Sequence, residues 1–132
     1  MSRENVEIVK RLMDAFNERD LDTFAEITTP DFEWTTSMTA VEGEIFRGRE
    51  GIETYFGRMR DAWDEFRALA SEFRDLGDRV LWLGRLEGRG RGSGVPVTAP
   101  LDILFDFRGG KISRIRSYLD HGEALRAAGL SG

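Results

Sequence analysis

The stretch GGKISRIRSYLDHGEALRAAG, Gly109 to Gly129, limits the possible folds more than any other part of the chain. It reads as a turn, a strand and a capped helix in immediate succession. The glycine pair marks the turn. In the strand, Ile112, Ile115, Ser117 and Leu119 share an inward face if a bulge near Ser113 resets the alternation. Asp120 then begins Asp-x-x-Glu with Glu123, a capping box that opens a final helix. Gly129 closes that helix as a C-cap.

Upstream, the hydrophobic period changes once, from helical to extended. Val6, Val9, Leu12, Met13 and Phe16 recur at helical spacing, which predicts an amphipathic helix over 4–17 with Ser2 as its N-cap. A short second helix with Leu21, Phe24 and Ile27 inward ends before Pro30. Residues 32–36 read as a strand with Phe32, Trp34 and Thr36 on one face. Residues 37–47 lack a period and are expected to form a loop. Gly48 leads into a third helix whose stripe is Ile52, Tyr55, Phe56, Met59 and Trp63. From Phe66 onward the chain alternates as strands, with turns at Gly77-Asp78, GRGRGSG and Arg108-Gly109-Gly110. Helices first and strands later predict an α+β fold with helices on one face of a curved antiparallel sheet. No linker or repeat interrupts residues 1–132, so a single domain is expected.

Composition excludes several classes of function. The chain has no cysteine and one histidine, His121, which removes thiolate chemistry, disulfides and multi-imidazole zinc sites within one subunit. A formal net charge of −5 disfavours a phosphate backbone as partner, so no nucleic acid is expected. Arg89-Gly90-Arg91-Gly92 lies between two strands without interleaved aromatics and reads as a hairpin loop. No stretch reaches membrane-spanning length and the start lacks a continuous apolar core. No membrane partner is expected, and the location expected is cytoplasmic. No metal site and no cofactor motif is read. Asp102 and Asp106 alternate with Leu101, Ile103 and Phe105 and should face outward.

Three segments, TTPDFEWTT, FRGREGIETYF and GGKISRIRSYLDHGEALRAAGL, resemble the SnoaL-like branch of the nuclear transport factor 2-like superfamily. Together with the order of elements, the resemblance covers nearly the whole chain. It implies a cone-shaped barrel, in which a curved antiparallel sheet wraps around three N-terminal helices with a short C-terminal helix. It also implies a pocket at one end and a homodimer formed through the sheet. Trp82, placed on the outward sheet face, is then a dimer contact.

Within that resemblance, VLWLGRLE is similar to the strand carrying an Arg-x-Asp pair in the limonene epoxide hydrolase branch. Arg85 and Glu87 would then point into the cone as a catalytic pair. The alternative is an ordinary exposed ion pair. Substrate contacts are expected from Trp34, Thr36, Phe16, Phe56, Met59, Leu101, Ile103, Ile115 and Ser117. Ser117 stands where that branch has its second pocket carboxylate, and Trp34 and Thr36 stand where it has Tyr and Asn. Epoxide hydrolysis by that route is therefore not expected. Thr36 also stands where ketosteroid isomerases carry their base, and a neutral threonine cannot take that role. Asp120 and His121 resemble the acid–base pair of SnoaL-type cyclases, although capping already accounts for Asp120. The expectation is a small-molecule-binding protein with an apolar pocket, working as a cofactor-free isomerase, cyclase or dehydratase. The alternative is a non-catalytic ligand-binding or dimeric scaffold protein.

Overall fold

A computed structural model describes residues 2–36 and 44–130. Two helices open the chain, α1 (Ser2–Glu18) and α2 (Leu21–Ile27), followed by β1 (Thr28–Thr35). A short strand β2 (Phe46–Arg47) and helix α3 (Gly48–Ala62) come next. Four strands then run to the last helix: β3 (Trp63–Asp75), β4 (Arg79–Gly90), β5 (Pro96–Arg108), β6 (Lys111–Tyr118) and α4 (His121–Ala127). The strands form one six-stranded sheet in the order β2-β1-β6-β5-β4-β3.

The α+β architecture agrees with the sequence, with two corrections to the sheet. It is open rather than closed into a barrel, and it is mixed, because β1 and β6 run parallel. Tight turns force β3 to β6 to alternate in direction, whereas α3 and the strands after it separate β1 from β6 and remove that constraint. Phe46 and Arg47, expected in a loop, pair antiparallel with Trp34 and Glu33. Residues 44 and 45 lie in no helix or strand, and residues 37–43 of that expected loop lie outside the described residues, as does the side chain of Ser2.

The predicted bulge is present. Asp106 pairs with Arg114 and Phe107 with Ile112, leaving Ser113 as the extra residue of β6. Ile112, Ile115 and Ser117 are accordingly buried, but Leu119 is 45% exposed because the strand has ended at Tyr118. Asp120 caps α4 by accepting from the Glu123 N–H at 3.2 Å. Gly129, at φ 78°, closes it with Leu130 N–H donating to the Leu125 carbonyl at 2.8 Å. A second bulge lies in β3, where Ser71 has no partner between the Ala70–Gly84 and Glu72–Leu83 pairs. Gly84 allows the close approach there, since a Cβ would sit 2.1 Å from the Leu69 carbonyl oxygen.

Both faces of the sheet are covered in part. The main core lies between the three N-terminal helices and the inner face, and includes Phe16, Phe24, Trp34, Phe56, Trp82, Ile103 and Ile115. A smaller core forms on the outer face, where Leu81, Leu83 and Leu104 meet Ala124 of α4 and Ala128 just after it. Trp82 is therefore not a dimer contact: it is 1% exposed and belongs to the inner core. Among the described residues no helix is long and apolar enough to cross a membrane.

Candidate functional site: an apolar cavity inside the cone

Aromatic side chains from both layers meet around Trp34 on β1. Its ring stacks on Phe24 at 4.9 Å and receives Tyr55 edge-on at 4.6 Å, with Phe16 at 6.0 Å. Beside this cluster is a cavity. Helical residues Met13, Phe16, Phe24 and Tyr55 form its roof, and Trp34, Phe66, Ala68, Leu101, Ile103, Phe105 and Ile115 form its floor. Thr36 and Ser117 add two hydroxyls. Both belong to the strand ends of the parallel β1–β6 pair, one residue past Thr35↔Arg116. The space open to the centres of water molecules is about 20 Å³, room for roughly one water.

The structure thus brings together Phe16, Trp34, Thr36, Leu101, Ile103, Ile115 and Ser117 of the expected contact set. Phe56 and Met59 instead line a separate groove of about 630 Å³ with Arg19, Arg60 and Trp63. Phe66 borders both spaces. Met13, Phe24, Tyr55, Phe66, Ala68 and Phe105 join the cavity without having been singled out. Their helical or alternating spacing marks them as core, and nothing in spacing separates core from wall.

Arg85 and Glu87 are corrected in orientation. They bond to each other at 2.8 Å with side chains 49% and 47% exposed, on the face of β4 away from the cavity. Val80, Trp82 and Leu86 take the inward positions. Alternation alone does not tell the two faces of β4 apart, because α4 makes the outer face apolar at Leu81 and Leu83 as well. Among the described residues, the cavity lining contains no carboxylate, imidazole or basic group.

The wall nearest the groove is clamped from α1. Asn17 donates from Nδ2 to the Ala68 carbonyl at 3.0 Å and accepts from the Ala68 N–H at 2.9 Å. Arg19 donates to the Phe66 carbonyl at 2.9 Å and to the Phe16 carbonyl. Its backbone has φ 56°, the left-handed position after a helix where glycine is usual. The two side-chain bonds hold arginine there. Burial lowers the Arg19 guanidinium from its ordinary range, with Tyr55 acting in the opposite direction.

The sequence profile of the SnoaL-like domain matches residues 9–115. The chain belongs to the SnoaL-like family. Solved structures agree on the fold. An NTF2-like protein of unknown function from Burkholderia pseudomallei is 22% identical, with TM-score 0.78 over 93% of this chain and 95% of that one. A ketosteroid isomerase-like fold from Catenulispora acidiphila, solved with trimethylamine, is 22% identical, with TM-score 0.76 over 94% and 93%. A proposed SnoaL-like polyketide cyclase from Jannaschia is 24% identical, with TM-score 0.76 over 98% and 94%. No curated protein matches the chain. At these identities the similarity establishes the SnoaL-like fold and leaves the chemistry to the residues of this domain.

Outside the cavity the structure joins two residues that the sequence kept apart. The Nδ1–H of His121, the first residue of α4, donates to Oδ2 of Asp102 on β5 at 2.6 Å. Asp102 faces outward as its alternation predicts, yet it is 4% exposed because α4 covers it. Asp120, the other half of the pair expected with His121, serves as the helix cap.

Proposed function

We propose that this SnoaL-like domain binds a small, uncharged, mainly apolar molecule in the cavity between its helices and sheet. The observation that carries this reading is the cavity wall, aromatic and aliphatic throughout except for the hydroxyls of Tyr55, Thr36 and Ser117. Such a wall favours apolar surface. A charged ligand would lose its hydration with no opposite charge to meet it. The space present holds about one water, so a ligand enters by displacing wall side chains, with Met13 the most adaptable. Acid–base work by Arg85 and Glu87 is not part of this reading, because both lie on the other face of the sheet.

The test is a thermal-shift and tryptophan-fluorescence titration with neutral probes (toluene, indole and cyclohexanone), followed by Ser117→Leu to fill the cavity. At least one probe is expected to bind the wild type, and Ser117→Leu to weaken it by about tenfold, the factor equivalent to 1.4 kcal/mol. No binding by any probe, or equal binding by the variant, refutes the cavity as the site.

A further inference from the structure

We propose that the groove beside α3 and the start of β3 is a second ligand site, in which the Arg19 guanidinium receives the carboxylate of a small organic acid. The groove measures about 630 Å³ against about 20 Å³ for the cavity, and Phe66 borders both. The two spaces differ in chemistry as well as in size. Among the described residues no charged side chain lines the cavity, whereas both signs of charge line the groove. The groove site does not depend on the cavity taking a ligand.

Arg19 carries the inference because its charge is half-buried and unanswered. Two of its five N–H donors go to the Phe16 and Phe66 carbonyls, which leaves the others for a further acceptor. A carbonyl satisfies a donor without neutralising the cation. Among the described residues the groove's one ion pair joins Arg91 to Asp64 at 3.7 Å, and no carboxylate reaches Arg19. Burial disfavours the charged guanidinium, and an anion bound beside it favours that form again. Trp63 supplies a second unmet donor on the same lining. Its Nε1 is buried with no hydrogen-bond partner among the described residues. The benzo edge of its ring packs on Gly88, where a Cβ would meet Cε3 and Cζ3 at 2.9 Å, so the N–H edge turns away from Gly88.

The chemistry of the occupant follows from these donors and their neighbours. A carboxylate accepts without donating, and its two oxygens match the fork of a guanidinium. Arg19, Arg60, Arg67 and Arg91 line the groove against Glu53, Asp64 and Glu65, a surplus of one positive charge. That surplus balances a monocarboxylate and leaves a phosphate dianion in excess. The three acids are exposed, so water and salt screen them more than they screen Arg19. Leu21, Phe56, Met59 and Phe66 offer apolar surface to the rest of the molecule. A neutral hydrocarbon would leave the guanidinium unpaired, and a bare inorganic anion would leave that surface uncovered. The class that meets both is a small carboxylic acid with an apolar body.

The experiment titrates phenylacetate into the full chain and follows the indole N–H signals by NMR, with Trp63 assigned through Trp63→Phe. Phenylacetamide, similar in shape without the charge, and inorganic phosphate are the comparison probes. Phenylacetate is expected to move the Trp63 signal saturably, and phenylacetamide to bind about tenfold more weakly, the factor for losing a charge-assisted bond. Phosphate at equal concentration is expected to leave the signal in place. Arg19→Gly removes the guanidinium while suiting the backbone at φ 56°, and should weaken phenylacetate by about tenfold. Should that variant not fold, Arg60→Glu reverses an exposed charge of the lining and should weaken binding by about threefold at low salt. Ser117→Leu fills the cavity and should leave phenylacetate affinity unchanged, which separates the two sites. No saturable shift with phenylacetate, or equal binding of phenylacetamide or phosphate, overturns the groove as a carboxylate site. So does wild-type affinity in Arg19→Gly, or in Arg60→Glu where that variant stands in, and so does loss of binding in Ser117→Leu.

Discussion

Replacing Asn17 tests whether the cavity wall is held from α1. β3 is an edge strand, and Asn17 imitates a neighbouring strand by bonding both backbone groups of Ala68, at 3.0 and 2.9 Å. Ala68 and Phe66 beside it line the cavity, so the clamp sets the position of that wall. Asn17→Ala removes two part-buried hydrogen bonds, each worth about 1 kcal/mol net, and leaves an N–H and a carbonyl without partners. The expected loss is about 2 kcal/mol, which for a domain of this size lowers Tm by roughly 8 °C. Asn17→Asp sharpens the test because it keeps the volume. Its carboxylate still accepts from the Ala68 N–H but turns a second oxygen towards the Ala68 carbonyl. At neutral pH its loss should equal or exceed that of Asn17→Ala. Part of it should return on acidification, when the carboxyl regains a donor. Urea denaturation followed by tryptophan fluorescence measures both variants. A change below about 0.5 kcal/mol in Asn17→Ala, the level of a neutral surface substitution, refutes the clamp. Wild-type stability of Asn17→Asp at neutral pH refutes it equally.

Other substitutions probe the sheet, the corrected pair and the first cap. Gly84→Ala places a Cβ 2.1 Å from the Leu69 carbonyl oxygen, so it should cost about 3 kcal/mol or prevent folding; Gly57→Ala, in helix α3 with only the flexible end of Arg60 at 3.6 Å, should stabilise by up to about 1 kcal/mol in the same denaturation assay. Arg85→Gln and Glu87→Gln remove an exposed ion pair, so stability should move by less than about 0.5 kcal/mol and probe binding should not change in titrations. Asp20 is the N-cap of α2, accepting from the Thr23 hydroxyl at 2.7 Å and from the Thr23 backbone N–H at 3.1 Å, and these bonds, the hydroxyl's first, hold its carboxyl below its ordinary value of 3.8. The stabilisation from this cap is therefore complete above the ordinary carboxylate range and lost as pH falls through the lowered value. Acid titration followed by circular dichroism should show Asp20→Ala with a shallower acid limb than the wild type.

Much of the fold was legible because local rules and tertiary packing agree. The Ser113 bulge could be inferred from Ile112 and Ile115, which cannot share a sheet face without an extra residue between them. Asp120 and Gly129 mark the ends of α4 by chemistry that acts within a single turn. The parallel β1–β6 pairing was not legible, since strand direction across an intervening helix leaves no local trace. The strand at Phe46 and Arg47 escaped notice for a related reason: two residues carry no period, and only their partners on β1 define them. The bond between Asp102 and His121 required knowing where α4 lands, which no spacing rule supplies.

The site was legible in its walls and misread in its chemistry, and the misreading turns on one bit of parity. Along β4, Trp82 pairs with Ile103 and Gly84 with Leu101, and Leu101 and Ile103 both line the cavity. Directly paired residues share a face, so Trp82, Gly84 and Leu86 point inward and Arg85 and Glu87 point outward. Only an extra residue between Trp82 and Arg85 could reverse this. The β4–β5 ladder runs without a break from Arg79 to Arg89, and the nearby bulge lies across the other edge, at Ser71 of β3. The orientation of Glu87 is therefore fixed by a continuous ladder and not by a rotamer. Bringing its carboxylate into the cavity would move the whole strand by one residue, exposing Trp82 and burying the Arg85 charge. A resemblance at the level of Arg-x-acid on a strand carries chemistry over only when the parity of that strand carries over with it.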